Sequence, residues 1–194
     1  MSSEQLRKVL DDIDTYNKAD PRQDDLDGVP RPLEQAYSER MTRWVLKLNP
    51  QASEALRIAA RGQHIGRWTV PRETYPMNRG GYLRWREDLK RFHASTVTEL
   101  MRKAGYSESD CERVRVMILK KNIQGDADTQ TLEDALCLIF LERQFEDLKQ
   151  KTPDEKMIEI VRKTWRKMSD VGKAAALSLP LPEEHTAVIQ AALK

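Results

Sequence analysis

A chain of 194 residues, 39% of them apolar, is sized for one domain with one sizeable core. Charged residues reach 33% but nearly cancel to a formal net charge of +2, so bulk charge gives no reason to expect a nucleic-acid or membrane partner. No apolar run is long enough to span a bilayer, and the opening MSSEQLRKVLDD lacks the apolar stretch of a secretory signal. Cys111 and Cys137 sit in helix-like apolar contexts without a CxxC pattern. They read as buried free thiols, and a cytoplasmic location is expected.

In chain order, residues 1–30 read as a short helix followed by NKADPRQDDLDGVPRP, a surface connection. Pro32 opens the next helix, with Leu33, Ala36, Tyr37, Met41, Trp44 and Leu48 on one face, and NP stops it. A helix from Ala52-Ser53 carries Leu56, Ala59, Ala60 and then Gln63 and His64 on the same face. Residues 68–81 hold Pro71, Pro76 and a Gly-Gly pair and read as a long irregular loop. A long helix then presents Tyr82, Trp85, Leu89, Phe92, His93, Val97, Leu100 and Met101. Ser107 caps the following helix, QGDADTQ is a turn, and TLEDALCLIFLERQFEDLKQ is the most apolar helix. A helix with a Thr152 cap and Pro153 at its first position follows, and a short terminal helix comes after LPLPEEHT. With no alternating strand pattern, the class is all-α: a compact single-domain helical bundle with a core over 31–150 and C-terminal helices over 151–194.

One segment breaks the even mixing of charge. Arg61 to His93 contains seven arginines and one lysine against three acids, five of the twelve aromatics and two of the three histidines. Guanidinium forks match phosphate and carboxylate, and aromatic rings can stack on a base or cover an anion. Arg61, Arg67, Arg72, Arg79 and Arg84, with Trp68 and Tyr82, are therefore candidates for an anion-binding cleft. The alternative is that the aromatics are core anchors and the arginines a solvated face. Arg84 and Arg86 lie on opposite sides of a helix, so at most one faces any cleft. The loop 68–81 is expected to close over the histidine-bearing helices as a lid, with Arg67 and Arg72 pointing toward His64. The lysines Lys120, Lys121, Lys163 and Lys167 read as surface.

Helical spacing puts His64, His93 and Asp134 on core-facing stripes of three helices. A buried carboxylate needs a partner. Two histidines and one carboxylate leave an open position for water, the arrangement of a catalytic metal site for one divalent ion such as Mn, Fe, Zn or Mg. The alternative has each histidine as a satisfied core residue and Asp134 paired with an arginine.

The strings YSERMTRWVLKLNPQASEALRIAARGQHIGRW, GGYLRWREDLKRFHA, LEDALCLIFLE and KTWRKMS resemble a widespread family catalogued as a domain of unknown function, number 4202. The resemblance covers almost the whole chain and implies a compact, soluble protein without naming an activity. AARGQHIGR and LEDALCL are also similar, more distantly, to segments of the HD-domain metal-dependent phosphohydrolases. In that superfamily one helix supplies His, a second ends in His-Asp and a later one supplies Asp. His93 would match an additional histidine used by some members. Here Tyr37 stands where the first His is expected and Ile65 where the Asp of the pair is expected, which leaves one ion on His64, His93 and Asp134. The expected function is a metal-assisted hydrolase of a phosphorylated small molecule or nucleotide, with Glu39 or Glu133 managing protons. The runner-up is a non-catalytic module binding a nucleotide or RNA through the same arginines.

Overall fold

Ser3 starts the first helix. Its hydroxyl accepts the Leu6 amide at 3.0 Å, satisfying one of the free N–H groups of the first turn. Helix α1 (Glu4–Asn17) then buries Leu6, Val9 and Ile13 completely. This helix is part of the core, not an appendage before it. The computed structural model describes residues 3–121 and 125–193.

The connection after α1 is more ordered than its composition suggests. Strands β1 (Gln23–Leu26) and β2 (Val29–Pro32) form an antiparallel hairpin in which Leu26 pairs with Val29. Asp27 and Gly28 make the turn with φ of 57° and 81°. Asp-Gly suits a two-residue hairpin turn because both positions need a left-handed backbone. Four-residue strands such as QDDL and VPRP are too short to give an alternating apolar signal, which is why the pattern missed them.

The remaining elements are helical: α2 (Leu33–Leu48), α3 (Glu54–Gly62), α4 (Arg79–Lys103), α5 (Glu108–Ile118), α6 (Ala127–Ile139), α7 (Phe145–Lys149), α8 (Asp154–Trp165), α9 (Asp170–Leu177) and α10 (Glu183–Leu193). The short α3 sits at the centre, packed on α1, α2, α4, α5 and α6. Its Leu56, Ile58, Ala59 and Ala60 have no exposed surface, as the core of a bundle requires. Helices α8 and α10 pack on each other, and α9 packs on α6.

Three local expectations change. Of QGDADTQ, expected as a turn, residue 124 lies outside the described residues and Ala127 already starts α6; the apolar helix does not run through uniformly, because Phe140–Gln144 widens into a π-helical turn between α6 and α7. Thr152 caps nothing, because Pro153 takes the N-cap position of α8 and no side chain caps it. Finally, Ser169 starts α9 by accepting the Gly172 amide at 3.1 Å, a helix the periodicity left unread. Among the described residues no helix is long and apolar enough to cross a membrane.

Candidate functional site

Helices α2 and α4, the end of α3, and the opposing α6, π turn and α8 enclose a cleft of about 830 Å³. The stripes that fill the core also deliver its floor. His64 follows α3 and His93 lies on α4, with ring centroids 5.8 Å apart. Tyr37 of α2 stacks on His64, their ring centroids 4.0 Å apart. One turn before Tyr37, Glu34 is 1% exposed; it accepts a 2.9 Å bond from Arg22 and lies 3.4 Å from His64 Nδ1. Burial raises the Glu34 carboxyl pKa, opposed by Arg67 and Arg22.

Both imidazoles are held neutral. The Ile65 carbonyl lies 2.8 Å from His93 Nδ1. A carbonyl only accepts, so Nδ1 carries the proton and Nε2 the lone pair. Burial, with His64 second, pushes the His93 pKa down to about 3. Burial also takes His64 well below its usual value, followed by the charges of Arg67, Lys120, Arg86 and Arg22. All four of these cations line the same cleft.

Charge is concentrated here in a way that the near-neutral chain hides. Seven cations line the cleft (Arg22, Arg67, Arg86, Lys90, Lys120, Lys156 and Lys167) against two carboxylates, Glu34 and Glu133. The Arg67 guanidinium lies over the Trp85 ring, 4.7 Å from its centroid, and burial lowers its pKa against the pull of Glu34. Lys120 bonds Glu133 at 2.8 Å and Lys167 stands 3.8 Å from the same carboxylate. Lys120 ends α5 with φ of 56°, a left-handed backbone that costs a non-glycine residue about 1 kcal/mol or more. The opposite wall is apolar, with Leu136, Phe140, Leu148 and Ile160.

The structure divides the predicted residues. His64, His93, Arg67, Tyr82 and Glu133 line the cleft. Arg61 does not: it pairs with Asp14 through two bonds of 2.6 Å and ties α3 to α1. Arg72 turns back on its own loop, donating to the carbonyls of Tyr75, Pro76 and Asn78 at 3.0, 2.8 and 3.3 Å. Trp68 packs edge-on against Tyr16. Arg79 and Arg84 are exposed outside the cleft, and Glu39 accepts from Gln35 at 3.1 Å.

The loop 68–81 is not a lid. Only its flanks, Arg67 and Tyr82, reach the cleft. Its middle is clamped to α4, where Trp85 Nε1 donates to the Val70 carbonyl at 2.9 Å and the Tyr75 hydroxyl to Asp88 at 3.0 Å. At Gly81 a Cβ would stand 2.0 Å from the Pro76 carbonyl oxygen, so the close return of the loop needs glycine there.

A metal site of His64, His93 and Asp134 does not assemble. Asp134 is buried as expected, but it faces α9, accepting the Ser169 amide at 2.8 Å, the Ser169 hydroxyl, and Gln130 at 3.1 Å. Among the described residues the His/Cys/Asp/Glu group whose ligand atoms all lie within 4.8 Å of one another is Glu146, Glu184 and His185, on α7 and α10. There Glu146 bonds His185 and Glu184 bonds Lys149. Cys137 lines the cleft as a thiol, its pKa pushed up to about 12 by burial and then Glu133.

Glu34 and Arg22 are cleft residues that sequence reasoning passed over, and Lys120 and Lys167, read there as surface, also line the cleft. Glu34 was findable, since it precedes Tyr37 by three and Met41 by seven on the stripe already assigned to the core. Arg86 was half legible, as one of two arginines of which one could face a cleft. Arg22, Lys120 and Lys167 lie in connections where no periodicity aims a side chain.

A family model described as a domain of unknown function, DUF4202, matches residues 7–189, and the chain belongs to that family. No curated protein and no solved structure matches. The resemblance to HD-domain phosphohydrolases therefore gains no structural support.

Proposed function

We propose that this member of the DUF4202 family is a hydrolase of a phosphorylated small molecule or nucleotide. The observation that carries the reading is the set Arg67, Lys120, Arg86 and Arg22, which lines the cleft beside His64 and adds to burial in depressing its pKa. A phosphate dianion among them would be neutralised by several charge-assisted bonds. It would also lift part of the cationic pressure on His64. The imidazole is thus a poor base in the free cleft and a better one once the anion is seated.

In the reaction, His64 takes a proton from water as the water oxygen bonds phosphorus. The ester P–O bond breaks, and the proton passes from His64 to the departing oxygen. Glu34, 3.4 Å from His64 Nδ1, stabilises the transient imidazolium. The expected metal enters no step, because its third ligand is committed to Ser169.

The volume favours a small molecule over a polynucleotide, since about 830 Å³ lies within the range of drug-sized ligand sites. The test is release of inorganic phosphate from a panel of phosphate esters, with chelator and with added Mn or Zn. Turnover lost in His64→Asn and weakened in Arg67→Met supports the reading. No phosphate release from any ester, together with no binding of phosphate, removes it.

A further inference from the structure

Buried polar atoms are almost always partnered in a folded protein. Among the described residues, five buried side-chain atoms have no protein partner, and three of them belong to the cleft: Glu34 Oε2, Gln63 Oε1 and His93 Nε2. The three residues are 1%, 4% and 2% exposed. They come from α2, the end of α3 and α4, which have no local reason to share this defect. All three atoms are acceptors: a carboxylate oxygen, an amide oxygen, and the imidazole nitrogen left unprotonated by the Ile65 contact. Glu34 Oε2 lies 3.4 Å from His64 Nδ1 without forming a hydrogen bond. The unpartnered atoms of the floor are thus all acceptors, beneath a cleft rich in cations.

We propose that the organic part of the substrate carries hydroxyl groups close to its phosphate, and that Glu34, Gln63 and His93 accept from them. The inference rests on the phosphate-ester reading above and specifies its substrate class. Hydroxyls fit because they donate without adding charge. A metal ion or an ammonium group would also satisfy acceptors, but it would enter a field already set by Arg22, Arg67, Arg86 and Lys120. That field adds to burial in opposing protonation of His64 and opposes a further cation through the same repulsion. Inorganic phosphate or a short alkyl ester would leave the floor unpaired, at the cost of buried, unsatisfied acceptors. Two sources share the required chemistry, a sugar phosphate and a ribonucleotide, and the apolar wall of Leu136, Phe140 and Ile160 could lie against either.

The experiment is calorimetric titration of the full chain with inorganic phosphate, butyl phosphate, a hexose phosphate, AMP, 2′,3′-dideoxy-AMP and manganese chloride. A site built to accept from hydroxyls rejects analogues lacking them. At least one hydroxylated ester should therefore bind about tenfold or more tighter than butyl phosphate. AMP over its dideoxy form identifies a ribonucleotide, and the hexose phosphate identifies a sugar ester. Gln63→Leu should shrink that preference to within about threefold while butyl phosphate still binds. The wild-type comparison stands alone if the variant does not fold. Equal binding of butyl phosphate and every hydroxylated ester overturns the inference and leaves the phosphate reading intact, as does stoichiometric manganese that displaces the hydroxylated esters. Failure of every phosphate compound to bind overturns the underlying reading instead.

Discussion

Tyr37 lies flat against His64, with ring centroids 4.0 Å apart and planes 10° from parallel. Stacking fixes the imidazole plane, and the buried tyrosine keeps water from that face. Tyr37→Phe should keep the stack and the stability. Tyr37→Ala should cost about 3 kcal/mol in denaturant unfolding and raise the His64 pKa, read by NMR titration of the imidazole, as water reaches the ring. An unchanged His64 titration in a folded Tyr37→Ala protein would show that the stack does not set its environment.

Two arginines six residues apart should behave in opposite ways. Arg67→Met should weaken phosphate-ester binding about tenfold, because a charge-assisted bond is lost. Arg61→Met should cost between about 1 and 3 kcal/mol of stability through the lost Asp14 pair. It should leave binding unchanged. Calorimetry and chemical denaturation on both variants separate the roles, and a reversed pattern would contradict the assignment of Arg67 to the cleft.

Asp134→Asn tests the metal expectation from its structural side. The substitution weakens the carboxylate's hold on the Ser169 amide and hydroxyl, which anchors the start of α9 to α6. A loss of about 1–2 kcal/mol in stability is expected, with ester binding and turnover retained. Lost turnover with stability intact would return Asp134 to the chemistry.

The neutral histidines make stability depend on pH in a definite direction. Burial depresses the folded-state pKa of His93 to about 3, against roughly 6.5 when unfolded. The unfolded chain therefore takes the proton first as pH falls. The contribution is fully present above the unfolded pKa and is lost through the window from about 6.5 toward 3, with a limiting slope of about 1.4 kcal/mol per pH unit. His64 acts in the same sense. Glu34, whose pKa is raised, acts in the opposite one. Unfolding free energies at pH 7, 6 and 5 should fall more steeply for the wild type than for His93→Gln. Parallel lines would mean that His93 is not held neutral in the fold.

The helical class, the helix starts at Ser53 and Ser107 and the inward aim of His64, His93 and Asp134 were legible in the sequence, because a period of 3.6 residues fixes which side of a helix a residue takes. Which neighbour it meets there is another matter. Glu133 and Asp134 are adjacent and both buried, yet one faces the cleft lysines and the other Ser169 of α9, a helix whose packing position no local pattern specifies. Arg61 found Asp14, 47 positions away, while Lys120 and Lys167 converged on Glu133 from connections without periodicity. Local periodicity and capping chemistry therefore set the elements and their buried faces. Only tertiary packing decided which charges share a cleft, because long-range electrostatic partners follow from how helices dock and not from spacing along any one of them.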